Sequence, residues 1–111
     1  MRILVIEPKK RPYVKEIDGS DEALRKIVKG DLQIRTPFID DIRIHLVCDE
    51  WGKIKKLPIN SVLFAKTGEI NDIVSGTFCL YNTSTEGNRI DLTDEQIKFY
   101  TKLFKKRSKN R

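Results

Sequence analysis

Gly68-Glu69-Ile70-Asn71-Asp72-Ile73-Val74-Ser75-Gly76-Thr77-Phe78-Cys79-Leu80-Tyr81 carries seven apolar side chains, and it holds two glycines where a backbone needs them. Gly68 closes a turn after Lys66-Thr67, the short glycine-containing connection of a β-hairpin. Ile73 and Val74 stand side by side and break strict alternation. Ser75-Gly76 then precede a clean strand pattern over Thr77–Tyr81. Paired apolar residues followed by glycine predict a strand that kinks and resumes in the opposite phase. The segment is therefore expected to be the central strand of one small sheet.

Upstream, Ile3-Leu4-Val5-Ile6 form a continuous apolar run, which predicts a first strand over Arg2–Glu7 buried on both faces. Pro8-Lys9-Lys10-Arg11-Pro12 is a turn, after which Tyr13–Ile17 return antiparallel. Ser20 is a helix N-cap, with Asp21 and Glu22 in the first turn, where the helix dipole favours negative charge. Leu24, Ile27 and Val28 give the apolar stripe, and Gly30 supplies the left-handed cap residue. Asp31–Arg35 reads as a strand that ends at Thr36-Pro37. A second amphipathic strand follows, with Ile42, Ile44, Leu46 and Cys48 on one face and Arg43, His45 and Val47 on the other. On this reading His45 is a surface residue. Asp49-Glu50-Trp51-Gly52 reads as a hairpin turn with Gly52 at the glycine-requiring position. Ser61–Phe64 fits either a short strand or a helical turn.

The last helix has the best-marked start. Thr93 caps it, Gln96 completes a capping box, and Leu92 with Ile97 forms the hydrophobic staple. Ile97, Tyr100, Leu103 and Phe104 make its buried face, and Phe99 falls off that stripe. Together these elements predict an α+β fold: a mainly antiparallel sheet with two helices packed on it, both on one face.

At 111 residues the chain is read as one domain over 1–104 with a basic C-terminal tail over 105–111. The tail matters for the charge. Lys105, Lys106, Arg107, Lys109 and Arg111 are five of the 22 basic residues, and without them 17 stand against 16 acids. The net charge of +6 thus belongs to the tail, and the body is close to neutral. No apolar run approaches the ~20 residues that cross a bilayer, and the opening residues lack the pattern of a signal peptide. A cytosolic protein is expected, with Cys48 and Cys79 as buried thiols.

Chemistry is sparse. No phosphate-binding glycine loop, dinucleotide fingerprint, nucleophile elbow or zinc-protease motif is present. One histidine and two separated cysteines leave nothing from which to build a zinc site, and no cofactor is implied. Glu69 and Asp72 are three apart, but the strand pattern keeps them from sharing a helix face. Thr77 has no base to activate it.

Several pieces in order resemble a family of short proteins of unknown function carried by bacterial phages, plasmids and integrative elements. They are Ile6-Glu7-Pro8, Ile17-Asp18-Gly19, Pro37-Phe38, Leu46-Val47-Cys48-Asp49-Glu50 with Gly52-Lys53, and Leu57-Pro58-Ile59-Asn60. Gly68-Glu69-Ile70, Asp72-Ile73-Val74, Gly76-Thr77-Phe78 and Asp94-Glu95 complete the series. The match runs from Ile3 to Phe104. The chain departs from the family in its basic tail and in Lys66, near which members carry acids. The resemblance implies a mobile-element origin and brings no catalytic residues.

Three functions follow as expectations. The first is a non-enzymatic accessory protein that binds a host macromolecule, as an inhibitor or anti-defence protein, with Trp51, Asn60 and Asp72 in the contact surface. Trp51 at a turn tip reads equally as an interface anchor or as a ring folded back over a sheet edge. The second is nucleic-acid binding through Lys98, Lys102, Lys105, Lys106, Arg107, Lys109 and Arg111, with a steep salt dependence. The third is sequestration of a small molecule such as a nucleotide.

Overall fold

The structure, a computed structural model, describes residues 1–65 and 67–105. Its strands are β1 (Arg2–Ile6), β2 (Tyr13–Glu16), β3 (Leu32–Arg35), β4 (His45–Asp49), β5 (Ile59–Phe64), β6 (Ile70–Ser75), β7 (Phe78–Thr83) and β8 (Arg89–Ile90). The helices are α1 (Asp21–Val28) and α2 (Asp94–Leu103). The main sheet runs β2-β1-β7-β4-β3 with β8 beside β7, and all its pairings are antiparallel. The expected α+β architecture of antiparallel sheet and two helices is what the chain adopts.

The register explains why β1, β4 and β7 read as continuous apolar runs. Leu4, Leu80 and Leu46 lie opposite one another on one face, and Val5, Cys79 and Val47 on the other. Each face carries its own core. α1 covers the second face with Leu24 and Val28 against Ile3, Val5, Val47 and Cys79. α2 covers the first with Tyr100 and Phe104 against Leu4, Leu46, Phe78 and Leu80. The helices thus lie on opposite faces, and the expectation that they share one is corrected. The strands bury both sides, so each side needs its own cover. Cys48 and Cys79 are free, buried and on opposite faces.

Residues 68–81 do not form one central strand. β6 pairs only with β5 in a separate two-stranded ribbon, while β7 alone is the centre of the main sheet, buried along its whole length. The break is at Gly76, whose φ of +83° is left-handed and whose N–H donates to the Pro58 carbonyl at 2.7 Å. A Cβ there would lie 2.7 Å from Leu57 Cδ1. The glycine turns a corner between two sheets. Leu63 and Val74 dock the ribbon on the α2-side core. The Gly68 hairpin turn forms as expected: its N–H donates to the Ala65 carbonyl, at φ +92°. Ser61–Phe64 is strand.

Both helices start where the sequence marks them. The Ser20 hydroxyl accepts from Ala23 N–H, and the Thr93–Gln96 capping box is complete. Other details differ. Lys29, not Gly30, takes the left-handed C-cap position, at φ 61°. β4 begins only at His45, because residues 41–43 lie in turns and loop, and Ile42 stands in solvent. His45 is half-buried, its Nδ1 3.2 Å from the Tyr81 hydroxyl. Leu103 is exposed, leaving Tyr100 and Phe104 with partly buried Ile97 as the packed stripe of α2. Residues 49–52 are not a hairpin turn, since the next strand belongs to the ribbon.

Candidate functional site

The segment between β4 and β5 is a loop of consecutive turns, tied down from within. Asp31 anchors its start: the Asp31 carbonyl accepts from Glu50 N–H at 2.8 Å, and its carboxylate accepts from the Trp51 indole at 3.0 Å. One helical turn follows, with Lys55 N–H donating to the Trp51 carbonyl, and Leu57 N–H closes the loop on the Gly52 carbonyl. Lys56 stands at φ 59°, a left-handed conformation that costs a lysine ~1–2 kcal/mol and so implies an imposed loop shape.

Asp49 is the internal peg. Its side chain is out of water; one oxygen accepts from Trp51 N–H at 3.0 Å and the other from Lys55 Nζ at 2.7 Å. Burial raises its pKa, but the Lys55 ammonium and the Trp51 N–H outweigh burial and hold the carboxyl below its ordinary value. Gly52 has a packing role: a Cβ would lie 2.8 Å from the Ser75 carbonyl.

Next to the loop is a polar cleft of about 140 Å³, lined among others by Gln33, Arg35, Cys48, Lys53, Asp72 and Ser75. Asp72 is its electrostatic centre. It pairs with Arg35 from β3 and, at 2.9 Å, with Lys53 from the loop, and it accepts from its neighbour Ile73 N–H. Against the upward push of burial, these donors and charges lower its pKa. The Cys48 thiol donates to Gln33 Oε1 at 3.5 Å, and burial raises its pKa, so it stays a thiol rather than a nucleophilic thiolate. The cleft holds satisfied ion pairs and no nucleophile matched to a base. Above it the loop sets Trp51 and Ile54 in solvent beside Lys53, Lys55 and Lys56, next to exposed Ile59 and Ile70 of the ribbon. An apolar surface set among lysines is suited to contact with a macromolecule.

Residues 1–105 match the family described as a domain of unknown function, DUF3846. The chain belongs to this family. Among curated proteins and solved structures, none matches it. Among the described residues of this DUF3846 chain, no helix is long and apolar enough to cross a membrane, and no group of three or more metal-ligating side chains is assembled.

The DUF3846 fold separates the three residues singled out for the contact surface. Trp51 is 43% exposed, its indole N–H tied back to Asp31. Asp72 sits at the cleft rim, half-buried and ion-paired. Asn60 lies elsewhere and does structural work: its amide donates to the Ile6 carbonyl at 2.8 Å and the Gly76 carbonyl at 2.9 Å, clamping the ribbon to β1 and to the corner. Of the basic residues, Lys98, Lys102 and Lys105 are exposed; Lys106, Arg107, Lys109 and Arg111 lie outside the described residues. Arg35, Asp49, Lys53 and Ile54 escaped the sequence reading. Lys53 and Ile54 adjoin Trp51 in sequence and could have been taken with it, whereas no local signal pairs Arg35 with a partner 37 positions away.

Proposed function

We propose that the chain is a non-enzymatic accessory protein of a bacterial phage or mobile element, and that it acts by binding a host protein through the 50–56 loop. The observation that carries this reading is the loop itself, which is held rigid by Asp31 and Asp49 and leaves Trp51 and Ile54 in solvent. A preorganised loop loses little entropy on binding, and tryptophan is enriched at the centres of protein interfaces. With Lys53 and Lys55 paired to Asp72 and Asp49, the Lys56 ammonium of the loop favours an acidic contact. The mobile-element setting comes from the family resemblance.

The test is capture from host lysate by the wild-type chain, by Trp51→Ala combined with Ile54→Glu, and by an Ile42→Glu control, at an exposed residue away from the loop. A stoichiometric partner retained by wild type and control but lost by the loop variant supports the reading. Capture of nothing in proportion to the bait by the wild type, or capture indifferent to the loop variant, overturns it.

A second reading has one observation in its favour. Lys98, Lys102 and Lys105, at four- and three-residue spacing, share one exposed side of α2 and its end. They could neutralise phosphates of a nucleic acid, with affinity falling steeply with salt. Truncation after Phe104 tests the contribution of the tail: DNA or RNA affinity that survives intact removes it. Sequestration of a nucleotide draws no support from the polar cleft, since ligand pockets span roughly 300–1,000 Å³.

A further inference from the structure

An apolar groove away from the loop is used by neither reading, although its rim shares Lys105 with the second. It runs between the second half of α2, the 37–41 loop and the ribbon, as two adjoining cavities of about 450 and 500 Å³ that share Pro37, Phe38, Phe64 and Leu103. Its floor is anchored in the core, with the Phe38 ring 4.8 Å from Tyr100 and 6.2 Å from Phe104. Its walls are bare. Ile39, Val62, Phe64, Phe99 and Leu103 are between 38% and 71% exposed. The local sequence explains each: Phe64 and Val62 alternate with buried Leu63 on β5, and Phe99 with Leu103 form a second stripe one position off the packed face of α2.

Taking ~200 Å² for a whole aromatic side chain, these five leave on the order of 500 Å² of apolar surface in water. On a monomer a contiguous patch of that size is commonly a contact surface. We propose that this groove is the face on which two copies of the chain associate about a two-fold axis.

Two observations choose this occupant. The first is area. One side of a standard interface covers about 800 Å², of which about two thirds is apolar in homodimers, and the patch supplies that share. The second is charge. Asp41, which accepts from the Tyr100 hydroxyl at 2.9 Å, lines one of the two cavities and Lys105 the other, with the shared apolar residues between them. A two-fold axis through that middle sets each acidic end against the basic end of the other copy, which makes the patch self-complementary. Association also covers the outer side of a two-stranded ribbon, an element of marginal stability alone.

Sedimentation equilibrium of the purified full chain at micromolar concentration tests the proposal. The wild type is expected at the mass of two chains. Phe99→Glu and Leu103→Glu, at positions already in solvent within one chain, should raise the dissociation constant about thirtyfold or more with an unchanged circular-dichroism spectrum. Lys105→Glu should weaken the dimer, and Asp41→Asn, which keeps an acceptor for the Tyr100 hydroxyl, should weaken it less. Trp51→Ala should leave it intact, which keeps this test separate from that of the loop. A wild type with the mass of one chain, or Phe99→Glu and Leu103→Glu variants that remain dimeric, would overturn the proposal. A monomeric wild type that captures another protein through Phe99 overturns it equally, by giving the groove a different occupant.

Discussion

Asp49 sits almost wholly out of water at the end of β4, and its neighbours make that tolerable. Lys55 supplies charge, Trp51 supplies an N–H, and Gly30 supplies room. A Cβ on Gly30 would lie 2.3 Å from the Asp49 carboxyl carbon. Gly30→Ala must therefore displace a carboxylate held from two sides, and a loss of about 3 kcal/mol is expected in urea denaturation. Lys29→Gly should act in the opposite direction. It relieves a left-handed lysine at the α1 C-cap, a strain of ~1–2 kcal/mol, against the ~0.5–1 kcal/mol entropic cost of glycine, for a net gain of several tenths of a kcal/mol. Asn60→Ala leaves two carbonyls without their donor, and a loss of about 1–3 kcal/mol is expected in the same assay, with no loss of partner capture. If capture falls while stability holds, Asn60 belongs to the contact surface after all. Glycine statistics favour Gly30 as the cap, and that inference fails because the deciding neighbour, Asp49, is 19 positions away. The carbonyls that Asn60 clamps are as hidden from local sequence, 54 and 16 positions off.

At the scale of elements, periodicity exposes strands and helix starts well and connections poorly. β1, β2, β3 and α2 begin and end close to their sequence signals, because proline turns and side-chain caps are local chemistry. What lies on either side of Gly76 is not local. Paired Ile73 and Val74 followed by glycine describe a phase change equally well for a bulge within a sheet and for a corner between two. The corner is adopted because the chain beyond β4 leaves the sheet, so β5 and β6 pair with each other while β7 inserts between β1 and β4. Gly76→Ala tests the corner. Alanine would need a left-handed φ and would push its Cβ against Leu57, with about 2 kcal/mol or more lost. Hydrogen exchange should localise the damage: amides of β5 and β6 lose protection first, while those of β7 open only with the whole sheet. Uniform loss of protection would mean that ribbon and sheet open as one unit. The candidate loop was half legible in the same way, with Trp51 visible as an unusual turn residue and its ties to Asp31 and Asp49 hidden.

The whole molecule titrates through groups that the fold, and not the composition, selects. His45 is the clearest. Burial lowers its pKa below the ordinary 6.5, and the nearby Arg89 guanidinium adds to the effect. A base whose folded pKa is depressed takes up its proton more readily when unfolded, so stability is full above the unfolded value and falls as pH drops below about 6.5 toward the folded value. Asp49 and Asp72 add a later step. Their pKa values are lowered despite burial, by Lys55 and Trp51 N–H for one and by Lys53, Ile73 N–H and Arg35 for the other. Their contribution is complete above the unfolded value of 3.8 and is lost as pH falls through the folded values. Thermal midpoints followed from pH 8 to pH 3 should therefore decline in two stages, one beginning near 6.5 and one below 3.8. His45→Gln should flatten the first stage and leave the second, whereas Lys55→Met should weaken the second and leave the first. A single decline confined to the carboxylate range, unchanged by His45→Gln, would show that the sheet holds His45 with no preference for its neutral form.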